Sequence, residues 1–104
     1  MVRKPTELIR ATCTQELRTL LDAELNAAEG SYRLVTIMTP PEPAIHVSVD
    51  HPTPLEAGPD RNYRTPRLPP DSTITFHLQP QQVLYGQSEA GLGFASILCE
   101  YLED

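Results

Sequence analysis

The segment TITFHLQPQQVLYGQSEAGLGFASILCEYLED (residues 73–104) reads either as a chemical loop or as the closing strands of a β domain. Gly86-Gln87-Ser88-Glu89-Ala90 resembles the turn that presents a nucleophilic serine, but that motif needs a second glycine where Ala90 stands. His46, His51 and His77 also all precede Ser88, whereas the hydrolase order places the histidine after the serine. Gly86 and Gly91 have the spacing of a phosphate-binding loop, yet Leu92 and Gly93 occupy the positions that must be Lys and Ser or Thr. Without that lysine nothing neutralises a phosphate. Alternation fits better. Ile74, Phe76 and Leu78 share one side of a strand, and Ala95, Ile97, Cys99 and Tyr101 share the apolar side of another. QQVLYGQS is a third strand-like run, joined to the last by the glycines of EAGLG. Ser88 therefore reads as a strand-end or hairpin residue.

Upstream, YRLVTIM (32–38) places Leu34, Thr36 and Met38 on one face and Val35 and Ile37 on the other. AIHVSVD (44–50) sets Ile45, Val47 and Val49 against His46, Ser48 and Asp50, the pattern of a strand with one wet face. Residues 7–14 also alternate and read as a strand. Between them, residues 15–28 carry two patterns. Leu17, Leu20, Leu21 and Ala28 fit a helical stripe, with Thr14 to cap it and Gly30 to close it, while Leu17, Thr19, Leu21, Ala23 and Leu25 alternate as in a strand. Both readings stay open. All prolines except Pro5 fall between Pro40 and Pro80, a stretch that is consequently barred from long helix and central strand. Residues 51–71 are expected to form a long Pro/Arg-rich loop.

The 104 residues make one domain (1–104), with 39% hydrophobic and 21% charged residues, a composition that folds. No apolar run nears the ~20 residues that span a bilayer, and MVRKPTELIR lacks the apolar stretch of a secretory signal. A formal net charge of −6 argues against non-specific nucleic-acid binding. Cys13 and Cys99 match no zinc or redox spacing and read as two buried thiols, with a disulfide between them unsupported. His46, Asp50 and His51 lie on one strand and its end, too few ligands on one edge for a closed metal site. The expectation is no metal, no cofactor and no enzyme.

Interface chemistry is more prominent. Arg61, Arg64 and Arg67 surround Tyr63 in the long loop, the composition of protein interfaces. Glu100, Tyr101, Glu103 and Asp104 end the chain, and their acids are natural partners for those arginines, within or between subunits. A loop and tail that are merely solvated are the plainer alternative for each residue alone.

A strand followed by L-x-P-x-Q-x-L-Y-G-x-S, a glycine turn and S-I-L-C-E-Y-L resembles the C-terminal part of small virion proteins of tailed bacteriophages, the capsid decoration (cement) and head-associated proteins. Leu78, Pro80, Gln82, Leu84, Tyr85, Ser88, Ser96, Glu100, Tyr101 and Leu102 carry it, and GSYRLVTIM (30–38) adds to it. Gln81 stands where that family often has glycine, and the Pro-rich centre has no counterpart. The resemblance implies a compact β domain that binds a capsid or other virion protein and itself, as a dimer or trimer, in a virion assembled in the host cytoplasm. It also makes residues 1–6 a candidate N-terminal arm.

The expected fold is thus mainly β, a small antiparallel sandwich or jelly-roll-like domain, with an N-terminal helix over about 15–28 as the open question. The expected function is structural. Its rivals are a small acidic inhibitor occupying a basic site on a host enzyme, and a ligand- or metal-binding β domain using His46, Asp50 and Ser88.

Overall fold

The computed structural model describes residues 2–50 and 67–103, which form eight strands and no helix. They are β1 (Val2–Cys13), β2 (Arg18–Leu21), β3 (Ser31–Met38), β4 (Ile45–Val49), β5 (Arg67–Leu68), β6 (Thr73–Leu78), β7 (Leu84–Ser88) and β8 (Gly93–Glu103). Sheet 1 has the order β1-β8-β3-β6 and sheet 2 the order β2-β7-β4-β5, with every described pairing antiparallel. First pairs with last, second with seventh, third with sixth and fourth with fifth. Such nested pairs, rolled so that β8 also meets β3 and β7 meets β4, give the strand order of a jelly roll.

The core lies between the sheets. Sheet 1 contributes Ala11, Cys13, Val35, Ile37, Leu78, Ala95, Ile97, Cys99 and Tyr101; sheet 2 contributes Leu21, Ile45, Val47, Leu68 and Leu84. These are the inward halves of the alternating runs, so burying them fixes the register of each strand. Gly93 sits where the sheets approach: a Cβ there would lie 2.9 Å from Ile45 Cδ1. Gly86 plays the same part beside Leu20, whose Cδ1 would be 2.5 Å from an added Cβ. Gly91, at φ +58°, is the residue of the β7–β8 turn that needs left-handed backbone.

Residues 15–28 are not helical. They give the short strand β2 followed by turns. The register shift between Thr19 and Leu21 is the reason. A bulge lets consecutive Leu20 and Leu21 both pack on the core, and two adjacent leucines after Leu17 imitate a helical stripe. The expected arm at residues 1–6 is also corrected. From Val2 onward these residues belong to β1, where Val2 pairs with Leu102 and Lys4 with Tyr101. Of the expected loop 51–71, residues 51–66 lie outside the described residues, while Arg67–Leu68 pair with β4 as β5.

The register also settles the thiols. Cys13 faces Gly93 and Cys99 faces Glu7 across the same strand pair, so the two cysteines stand about 20 Å apart, far beyond disulfide reach. Both are free and buried, and burial pushes both thiols up from their ordinary pKa.

Candidate functional site

Arg33 is in phase with Val35 and Ile37, and its side chain is only 2% exposed. The guanidinium donates from Nη1 to the Asp22 carbonyl (2.8 Å) and from Nη2 to the carbonyls of Gln79 (3.0 Å), Pro80 (3.3 Å) and Gln82 (2.7 Å). Gln82 Oε1 in turn accepts from the Gln79 N–H at 2.8 Å. One buried cation thereby gathers the β2–β3 connection and the β6–β7 turn. Those carbonyls replace the water that a guanidinium loses on burial. The role is architectural.

A second polar group lies outside sheet 2. His46 alternates with core residues Ile45 and Val47 and so points away from the sandwich, yet it is 1% exposed, with Ser48 and Gln87 also buried. The wet face expected for β4 is therefore covered. His46 Nε2 lies 3.1 Å from Glu89 Oε1, and Arg67 donates to both Glu89 oxygens, at 2.8 Å from Nε and 3.2 Å from Nη2. Gln87 Nε2 donates to the Gln15 carbonyl. The Arg67 and His46 hydrogen bonds hold the Glu89 carboxyl down at a pKa of about 2. Glu89 thus clamps β5 and β4 to the end of β7.

These contacts dispose of several expectations. Arg67, expected to pair with the acids at the end of the chain, is engaged by Glu89. Tyr101 is a core residue, not a surface contact: it is buried, its ring lies 4.1 Å from the Lys4 ammonium, and burial together with its Cys99 neighbour raises its phenol pKa. Glu100 and Glu103 are half-buried along β8, opposite Leu34 and Ser31 of β3. Arg61, Tyr63, Arg64 and Asp104 lie outside the described residues, as does His51. Of the residues weighed as metal ligands, His46 is engaged with Glu89, and Asp50 accepts from the Val83 N–H at 2.9 Å. Among the described residues, no three His, Cys, Asp or Glu are grouped to hold a metal ion. Ser88 is buried at the end of β7, and its Oγ donates to the Gly91 carbonyl at 2.6 Å, tying the glycine turn.

The outer face of sheet 1 is different in kind. Alternation sends Leu8, Arg10 and Thr12 of β1, Phe94, Ser96, Leu98, Glu100 and Leu102 of β8, Tyr32, Leu34, Thr36 and Met38 of β3, and Thr73, Thr75 and His77 of β6 to this side. Leu8 is 71% exposed, Phe94 44% and Met38 38%, around half-buried Leu34, Leu98 and Leu102. Arg10 lies over the Phe94 ring at 4.9 Å and His77 stacks on Tyr32 at 4.9 Å, so even the polar members lie flat against the surface. Charged side chains at these positions are Arg10 and Glu100, in a chain of net charge −6.

Comparison with protein-family models, with curated proteins and with solved structures gives no match. The site is therefore read from its own chemistry. Sequence alternation had already put Phe94 with Leu98, and Leu34 with Met38. Missing was the adjacency of β8 and β3, which turns two mixed strand faces into one apolar field. Leu8 carried the same phase as Arg10 and Thr12 and was not singled out.

Proposed function

We propose that this protein is a non-enzymatic structural component of a bacteriophage virion, a capsid decoration protein that works by laying the outer face of sheet 1 against protein. The observation that carries the proposal is that apolar face, with Leu8, Phe94 and Met38 exposed on strands held rigid by the core beneath them. Contiguous exposed apolar patches on a folded domain mark interaction surfaces, and flat sheet faces suit protein partners better than small ligands. Two further points support the virion setting. The jelly roll is an architecture of viral capsid domains, though also of lectins and cupins, so this support is by analogy. The residues that resemble phage decoration proteins, from Leu78 to Leu102, fall on β6, the turn gathered by Arg33, β7 and β8. An inhibitor that imitates a polyanion would need carboxylates massed on one face, and the outer positions of sheet 1 offer one, Glu100, together with one cation, Arg10.

The test is incorporation. In particles purified from cells expressing the complete virion gene set, the chain should be present in a fixed, symmetric copy number. A Leu8→Glu variant that melts normally should be lost from the particles. Particles that never contain the wild-type chain would end this reading.

A further inference from the structure

We infer that the partner seated on the outer face of sheet 1 is a second copy of this chain, packed face to face about a two-fold axis; the inference rests on the use of this face for protein contact proposed above. The axis lies in the plane of the interface and runs across the strands, along the row Leu8–Leu98–Thr36–Thr75.

The argument is the register. Cross-strand pairing places Leu8 beside Leu98, Leu98 beside Thr36 and Thr36 beside Thr75, so these four form one row. On one side of it runs the row Arg10–Ser96–Met38–Thr73, and beyond that Thr12–Phe94. On the other side runs Glu100–Leu34–His77, and beyond that Leu102–Tyr32. A two-fold axis along the central row exchanges the two sides. Met38 then meets Leu34 of the second copy, Phe94 meets Leu102, and Leu8 and Leu98 meet their own images. Apolar groups thus fall on apolar groups at Leu8, Leu98, Met38, Leu34, Phe94 and Leu102, with threonines meeting at Thr36 and Thr75.

The charges match as well. The same operation puts Glu100 of one copy over Ser96 of the other, whose neighbour across the strand pair is Arg10. Adjacent strands are about 5 Å apart, so the carboxylate and guanidinium come within reach of each other, twice by symmetry. Two copies of a chain with net charge −6 repel one another in general. They can approach closely on a face whose own charges cancel, and on this one Arg10 balances Glu100.

The size is sufficient. Strands about 4.8 Å apart, covering the length from Phe94 to Leu102 on β8 and β1 but less of it on β3 and β6, make a face of roughly 500 Å² per copy, or roughly 1,000 Å² in all, the size expected of a specific interface. Face-to-face packing of two sheets is a recurrent way of burying such faces.

Sedimentation of the full chain over a concentration series tests this. Wild type should run as a dimer, and a Leu8→Glu/Met38→Glu variant as a monomer that still melts cooperatively, matching wild type diluted below its dimer dissociation constant. Arg10→Glu and Glu100→Arg should each weaken the dimer roughly three- to tenfold, and the two together should restore it, because the exchange preserves the pair. A wild-type monomer at every concentration, a dimer indifferent to Leu8→Glu/Met38→Glu, or a charge-exchanged double variant no tighter than its singles would each overturn the inference. The two proposals fail separately. A monomer that still enters particles, and loses that ability with Leu8→Glu, sinks the dimer and keeps the virion role. A dimer absent from particles does the reverse.

Discussion

Outside sheet 2, His46, Ser48 and Gln87 are buried polar residues, with His46 and Arg67 engaged on the Glu89 carboxylate. Outside sheet 1, Leu8, Phe94 and Met38 are apolar residues left in water. Both sheets are four-stranded and antiparallel, and both turn an apolar inner side to the same core. The difference therefore does not come from what the core requires. On sheet 2 polar side chains that lose water are compensated within the chain; on sheet 1 apolar side chains that would gain from losing water are not covered by it. The first arrangement is what stability asks for, and the second is what association asks for.

Mutations separate the two. The largest effect is expected where the sheets are held together. Arg33→Ala leaves the carbonyls of Asp22, Gln79, Pro80 and Gln82 without their shared donor, and should cost about 3–5 kcal/mol in denaturant unfolding, a large part of a small domain's stability. Gly86→Ala forces Leu20 aside and should cost about 1–3 kcal/mol by the same measurement. Both would weaken the protein without favouring either outer face.

The clamp outside sheet 2 is the next test. Glu89→Gln should cost about 1 kcal/mol near neutrality. The effect depends on pH with a definite sign. The Glu89 carboxyl titrates at about 2 in the folded chain against an ordinary 4.5, so its contribution is complete above about pH 4.5 and is lost as the pH falls toward 2. Thermal melts between those limits should show wild type losing its advantage over Glu89→Gln; curves that stay parallel would mean that the clamp contributes nothing.

The smallest effect on stability belongs to sheet 1. Leu8→Ser should change the melting of the isolated chain by no more than about 0.5 kcal/mol, yet reduce association measurably by sedimentation. An equal loss of stability at Leu8 and at Glu89 would erase the contrast between the faces. A thiol reagent offers a check on the shared interior: Cys13 and Cys99 are both buried and should react only once the chain is unfolded.

Much of the fold was visible in the alternation of single residues. The inward sets Val35/Ile37, Ile45/Val47 and Ala95/Ile97/Cys99/Tyr101 are those the sequence pattern proposes, since a strand has to choose one side for its apolar residues. Residues 15–28 resisted because a bulge breaks the two-residue period just where Leu20 and Leu21 adjoin. Arg33 resisted because an arginine in phase with core residues reads as an exception, and its carbonyl partners are brought to it by chain segments distant in sequence. Tyr101 was expected at an interface because tyrosine is common there, whereas its own alternation with Ala95 and Ile97 already placed it inside. The outer face of sheet 1 is a property of strand neighbours, and neighbours at least 35 positions apart, as Met38 and Thr73 are, leave no local signature.

The nesting of the strands has a kinetic side. β8 lies between β1 and β3 in sheet 1, so the last of the eight described strands is the one that joins the first to the rest. Until it emerges, β1 has no bonded neighbour among the described strands and the apolar field on sheet 1 is not assembled. Closing the β1–β8 pair spans at least the 80 positions from Cys13 to Gly93, which predicts slow folding. It also means that nascent chains cannot pair through this face before each has finished its own fold.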